Sequence, residues 1–140
     1  IILGKEKYGI IHAGWRGLLD GIIENTLEYM ISEGEEIRNI SVFVGPHLRK
    51  YSFEVQDDFI DNLKVKIENF KEYIFQFNSR TFFDFSGLIE SKIIKLKISN
   101  YKISKEDTFI NSEKYFSHRY CQVNKIKNCG RQISVVGIKK

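Results

Sequence analysis

A mixed α/β domain, either α/β or α+β with a mixed sheet, is the fold the sequence predicts, and three observations predict it. Short β-branched runs alternate along the chain with segments whose apolar residues recur every three or four positions. The 140 residues suit one domain with one core. Hydrophobic residues at 42% and charged residues at 29% match a globular composition, which excludes a disordered or collagen-like chain. No apolar run approaches the ~18 residues of a spanning helix, so no membrane partner is expected.

The elements follow in order. Ile1-Ile2-Leu3 reads as the inside of a strand; it lacks the charged start and small-residue cleavage site of a signal peptide. With no methionine before it, the true beginning is expected to lie elsewhere. Tyr8–Ala13 is a short buried strand bounded by glycine, with a turn at Gly14. From Arg16 to Glu33, Leu19, Ile22, Ile23, Leu27 and Met30 mark an amphipathic helix that Gly34 stops. Ile40–Val44 is a strand ended by Gly45 and Pro46, the only proline. Tyr51–Val55 is extended, and Gln56–Phe70 resumes helical spacing, with Asp57 and Asp58 favouring its N-terminal dipole. Tyr73–Phe77 and Thr81–Phe85 form an aromatic strand pair around Asn78-Ser79-Arg80, and Ser86–Ser99 is a helix with Leu88 or Ile89, Ile93 and Leu96 inward. The last third is loop-rich until a strand at Gln132–Ile138.

Charge and cysteine content narrow the setting. A net charge of +4 rests on 16 lysines against 6 arginines, a bias that favours a solvated surface over bidentate phosphate readout. The lysines from Lys92 to Lys105 read as a solvated face, and a nucleic-acid groove there is the weaker alternative. Two cysteines, Cys121 and Cys129, in a lysine-rich chain without a secretory signal predict free thiols and a cytoplasmic location.

Three places carry candidate chemistry. His12 ends a strand before a glycine-bearing turn, where an imidazole ligates metal or exchanges protons, or else is simply structural. Gly14 and Gly17 allow close approach beside it, Trp15 offers a stacking face and Arg16 a cation. Ser117-His118-Arg119 with Gly130-Arg131 would suit an anion such as phosphate; the alternative is arginines that pin a loop to backbone carbonyls. His47 follows Gly45-Pro46 and either lines the same cleft or sits exposed in a turn, and Asp84 either faces a pocket or caps a helix. The cysteine spacing lacks the knuckle of a structural zinc site.

Together, His12-Ala13-Gly14-Trp15-Arg16-Gly17, Val44-Gly45-Pro46, Phe53-Glu54-Val55, Asp84, Tyr115-Phe116-Ser117-His118-Arg119 and Gly130-Arg131 form an ordered signature. It resembles that of the laccase-domain family, also described as multicopper polyphenol oxidoreductase-like. Members of that family are read as zinc-dependent purine nucleoside phosphorylases with adenosine deaminase activity. The resemblance covers nearly the whole chain, taken as a single domain over 1–140. It implies a four-layer αββα arrangement and a zinc held by two histidines and a cysteine, of which His12 is the last. The earlier histidine and cysteine belong to family segments that precede the strand with which this chain begins. The chain is thus expected to be N-terminally truncated relative to the family, its site completed by a missing segment or a second chain. Cys121 and Cys129 do not match the missing cysteine. Two further departures are Asp107 in place of a cysteine, and His118 and Tyr120 in place of a tyrosine and an arginine.

The implied activity is phosphorolysis of a purine nucleoside: phosphate attacks the anomeric carbon as the base leaves. Adenosine deamination would instead use a metal-activated water at C6. The expected partners are a purine nucleoside and phosphate. In this scheme His12 is the metal ligand and Arg119 and Arg131 are the anion contacts, while Trp15, Arg16, His47, Asp84 and Ser117 line the substrate pocket. The alternatives are a non-catalytic remnant of the same family and, more weakly, a basic nucleic-acid-binding protein or a copper polyphenol oxidase. Three histidines and two loop cysteines do not furnish a multicopper cluster.

Overall fold

A computed structural model describes residues 1–137. The fold is mixed α/β, with five α-helices and two sheets, one of them mixed, among the described residues. The larger sheet has the order β2-β1-β3-β6, formed by β1 (Ile2–Leu3), β2 (Tyr8–Gly9), β3 (Ser41–Val44) and β6 (Asn100–Ile103). β1 runs antiparallel to both β2 and β3, whereas β3 and β6 are parallel, with Val42 opposite Tyr101. The smaller sheet is the hairpin of β4 (Ile74–Phe77) and β5 (Arg80–Phe83). Asn78 and Ser79 at its tip both take positive φ, as a two-residue hairpin turn with strand-matching twist requires.

β1 forms where the Ile1-Ile2-Leu3 run predicts a strand, but the Tyr8–Ala13 strand shrinks to Tyr8–Gly9. Residues 10–14 leave the sheet as irregular backbone that carries His12 away from the strand. Glu35 fixes the preceding turn. Its buried carboxylate accepts the backbone N–H groups of Lys5, Glu6 and Lys7, each at 2.7 Å, and these bonds hold its pKa below the usual carboxylate range.

The helix expected over Arg16–Glu33 is two helices, α1 (Trp15–Leu19) and α2 (Ile22–Ser32). The break falls at Asp20–Gly21, where Gly21 adopts φ 81°. Only glycine enters that region without steric cost, so apolar periodicity continues across the break while the backbone does not. Leu18, Ile23, Leu27 and Met30 face the core, and Gly34 stops α2 at φ 97°, as predicted.

α3 (Asp57–Lys66) is shorter than the Gln56–Phe70 segment, whose end becomes a 3₁₀ turn at Phe70–Tyr73. Tyr51–Val55 pairs with the hairpin by a single bridge, Glu54 opposite Phe82, so it is not a full strand. α4 spans Phe85–Lys95, and Asp84 caps it by accepting from the Gly87 N–H at 2.9 Å. Leu88, Ile89 and Ile93 are buried against Phe53, Phe59, Phe83 and Phe85. Phe83, fully buried, lies 4.9 Å from the Phe59 ring and 5.3 Å from Phe53, within the range of favourable aromatic pairs. Lys92 departs from the expected solvated lysine face: it is half-buried in an ion pair with Glu24 of α2.

Three expectations for the last third are corrected. β6 and α5 (His118–Val123) occupy what reads as loop, because each is too short to show a period. Residues 132–137 form no strand, and Ile138, the end of the predicted one, lies outside the described residues. Cys121 and Cys129 are not free thiols but a disulfide, with Cα atoms 5.8 Å apart. No helix among the described residues is long and apolar enough to cross a membrane.

Candidate functional site

A cavity of about 560 Å³ opens at the C-terminal end of β3, where three loops and the segment after α5 converge. Its floor is apolar, with Ile2, Val42, Val44, Phe85 and Ile89 contributed by the sheet and α4. Its rim is polar: His12 comes from the segment after β2, His47 from the loop after β3, Thr108 from the loop after β6, and His118 and Arg131 from α5 and beyond. All three histidines of the chain therefore line one cavity.

Each is placed by local chemistry. His12 is exposed, and a side chain on Gly14 would bring its Cβ to 3.1 Å from His12 Nε2, so glycine leaves that nitrogen room toward the cavity. His47 is half-buried: its Nδ1 donates to the Gly45 carbonyl at 2.8 Å and its Nε2 accepts from the Ser86 hydroxyl at 2.7 Å, an assignment that follows from the partners. Burial pushes the His47 pKa below the usual histidine range, and the nearby Arg49 adds to the effect against the Gly45 carbonyl, Asp107 and Asp84. The ring sits edge-on to Phe85 at 5.9 Å.

The loop after β6 is held by Asp107, which is buried. Its carboxylate accepts from the backbone N–H of Phe109 at 2.8 Å and of Arg49 at 3.3 Å. Asp107 also bridges His47 through the backbone, and Thr108 N–H donates to the His47 carbonyl at 3.1 Å. The two loops that present His47 and Thr108 are thus one hydrogen-bonded unit.

Ser117 caps α5 by accepting from Tyr120 N–H, which sets His118 at the first turn. The disulfide then returns the chain so that Gly130 packs on the Phe116 ring, where a Cβ would overlap ring atoms. Arg131 follows at the cavity rim. Its Nη1 donates to the carbonyls of Cys129 and Gly130, both at 3.0 Å, and the exposed guanidinium keeps further N–H donors for an anion.

The structure brings together His12, His47 and Arg131 of the predicted site residues. Arg119, Trp15, Arg16, Asp84 and Ser117 do not line this cavity. Trp15 packs on Phe59 at 4.8 Å with the Arg16 guanidinium 4.3 Å over its indole, in a separate groove with Asn62 and Lys66. Asp84 and Ser117 act as helix caps, and Asp84 also pairs with Lys50 at 3.5 Å. Thr108 lines the cavity although no pattern in the sequence assigns it a site role, and Phe116 and His118, which fall inside the Tyr115–Arg119 motif, line it as well. The lone Asp-Thr pair after a short strand is the one signal that could have marked the first.

A catalytic zinc takes about three protein ligands and an open position. His12 offers an open nitrogen, His47 has both nitrogens engaged, and among the described residues no three His, Cys, Asp or Glu side chains group to hold a metal. The residues of this chain do not by themselves fit the implied zinc site, so no chemical step is derived through a metal.

Comparison with known proteins agrees with this architecture. The family model described as multi-copper polyphenol oxidoreductase laccase matches residues 3–139. A purine nucleoside phosphorylase of Rickettsia prowazekii is 31% identical over 113 residues, which cover 79% of this chain and 46% of that protein. A purine nucleoside phosphorylase of Aquifex aeolicus is 40% identical over 84 residues, 60% of this chain and 36% of that protein. A crystal structure of a Neisseria meningitidis protein superposes with a TM-score of 0.66 at 23% identity, covering 78% of this chain and 44% of that one, which shows the shared fold. The chain spans about half the length, or less, of these curated relatives. The match over nearly every residue shows that the chain belongs to the multi-copper polyphenol oxidoreductase laccase family.

Proposed function

We propose that the cavity binds a purine nucleoside beside inorganic phosphate and serves purine nucleoside phosphorolysis. The observation that carries this reading is the pairing of an apolar floor with a polar rim in one cavity of about 560 Å³, a size typical of small-molecule sites. Ile89, Val44 and Phe85 suit the faces of a purine, while Arg131 supplies the cation for phosphate. His12 and His118 line the same cavity and offer imidazole nitrogens as hydrogen-bond partners for the ribose hydroxyls and the departing base. In the reaction a phosphate oxygen bonds to C1′ of the ribose as the bond to the purine nitrogen breaks, and the electron pair leaves with the base. The names of the relatives add support, since several are purine nucleoside phosphorylases and one, from an unknown prokaryotic organism and 30% identical over 77 residues, is an adenosine deaminase.

The test is incubation with inosine or adenosine, with and without phosphate and with and without zinc, followed by separation of the products. The reading expects phosphate-dependent release of hypoxanthine or adenine with ribose 1-phosphate, lost in His12→Ala. Inosine formed from adenosine without phosphate would assign deamination instead. Absence of all products together with absence of nucleoside binding would overturn the reading.

A further inference from the structure

We propose that the Cys121–Cys129 disulfide is a redox-operated clasp on the anion-binding rim of the cavity. The inference rests on the reading of Arg131 as the anion contact, and its core is a feature of connectivity. Cys121 is buried on α5, the helix whose first residue, His118, lines the cavity. Cys129 immediately precedes Gly130 and Arg131, which line it from the other side. Between the two cysteines, residues 122–128 are all exposed, so little apolar burial holds this loop closed.

What ties Arg131 to the rim is therefore a short set of contacts. The disulfide is the covalent cross-link; the others are the 3.5 Å approach of Cys129 Sγ to the Ser117 carbonyl, the packing of Gly130 on the exposed Phe116 ring and the turn of the Arg131 guanidinium onto the Cys129 and Gly130 carbonyls. Those last two bonds are internal to the 129–131 segment and anchor it to nothing else. Beyond Arg131, residues 132–137 have no regular structure, with Ile133 and Val135 largely exposed, so among the described residues no strand or helix restrains the segment from that side. Opening the disulfide would remove the cross-link between the rim and α5, leave only the main chain of residues 124–128 between them, and enlarge the set of conformations open to residues 129–137.

The sulfurs are reachable. A small cleft lined by His118, Gln122, Asn128 and Arg131 also exposes both cysteines, and Cys129 is half-buried where Cys121 is buried. A dithiol reductant supplies the chemistry. Its thiolate attacks Cys129 Sγ, the Cys121–Cys129 bond breaks, and Cys121 leaves as a thiolate that takes up a proton. The second thiol of the reductant then attacks the mixed disulfide, releases Cys129, and leaves as a cyclic disulfide. Two electrons and two protons pass from the dithiol to the protein.

The experiment compares the oxidised and dithiol-reduced full chain by amide hydrogen exchange and by titration with inorganic phosphate, with thiol counting to establish each state. The expected result is exchange about tenfold faster on reduction at the amides of Asn124, Lys125 and Ile126, which are hydrogen-bonded inside the loop the disulfide closes, with α2 and α4 unchanged. Phosphate affinity should fall by a similar factor, and the double variant Cys121→Ser/Cys129→Ser should match the reduced protein under both conditions. Two free thiols under oxidising conditions, or exchange at Asn124, Lys125 and Ile126 identical in the two states, would overturn the clasp. Faster exchange on reduction in a protein that binds no phosphate in either state would support the clasp and refute the anion-site reading on which its function rests.

Discussion

Replacing Phe83 with alanine tests the packing beneath the cavity. Phe83 is fully buried, and its ring meets Phe53 at 5.3 Å, Phe59 at 4.9 Å and Phe85 at 6.0 Å. Phe85 in turn lines the cavity and supports the edge of His47. Large-to-small changes of this kind cost about 3–5 kcal/mol, the transfer of the lost ring plus the void it leaves. Three aromatic partners place Phe83 toward the upper part of that range, because each ring pair adds about 0.5–1.5 kcal/mol beyond area burial. For a domain whose whole stability is about 5–15 kcal/mol, this loss removes a large fraction and lowers Tm by roughly 10–15 °C. Urea unfolding followed by fluorescence of Trp15 and by circular dichroism reads the change. Val65→Ala, at a position 83% exposed, should stay within about 0.5 kcal/mol of the parent. A Phe83→Ala loss below about 1 kcal/mol would show that the aromatic cluster is not the core of the fold.

Four further outcomes follow from the structure. Asp84→Ala removes the acceptor for Gly87 N–H and should cost about 1 kcal/mol without changing nucleoside binding; lost binding at full stability would place Asp84 in the site after all. The lowered pKa of His47 means that the unfolded chain takes up the proton first as pH falls. Its stabilising contribution is complete above about pH 6.5 and is lost on descent toward its lowered folded value, so His47→Asn should flatten the stability profile in that window. Glu35 acts lower: its depressed pKa gives stability above about pH 4.3 that is lost as pH drops through the folded value, and Glu35→Gln should remove that acid-dependent slope, read by urea midpoints at several pH values. Gly14→Ala has an allowed extended backbone, with φ −64° and ψ 165°, yet brings its Cβ to 3.1 Å from His12 Nε2. It should shift the His12 imidazole resonances while leaving Tm within about 2 °C; unchanged resonances would separate His12 from Gly14.

The sequence makes the α/β alternation legible because apolar residues carry it. Leu88, Ile89 and Ile93 on α4 are buried at helical spacing, and Phe82 and Phe83 of β5 are both buried although they point to opposite faces of the hairpin. Gly21 defeats the pattern: apolar periodicity runs through it from Leu18 to Met30, while its positive φ breaks the helix. β6 and α5 escape because four and six residues are too few to display a period. In the site, His12, His47 and Arg131 are legible as polar side chains at strand ends and turns, although only a tertiary arrangement can say that they face one cavity. Asp84 and Ser117 show the converse. Both sit beside apparent site motifs, and both spend their oxygens on backbone N–H groups at helix starts. The disulfide is not legible in the sequence, since two cysteines in a lysine-rich chain without a secretory signal read as free thiols, and only the fold brings their Cα atoms to 5.8 Å.

The claim that most needs a direct test is that Arg131, at the cavity rim, is the phosphate contact. Calorimetric titration of the oxidised protein with inorganic phosphate, repeated for Arg131→Gln and Arg119→Gln, addresses it. The account predicts saturable binding that Arg131→Gln weakens about tenfold, as expected for loss of a charge-assisted pair, and that Arg119→Gln leaves within twofold. Binding that survives Arg131→Gln and disappears in Arg119→Gln would contradict it.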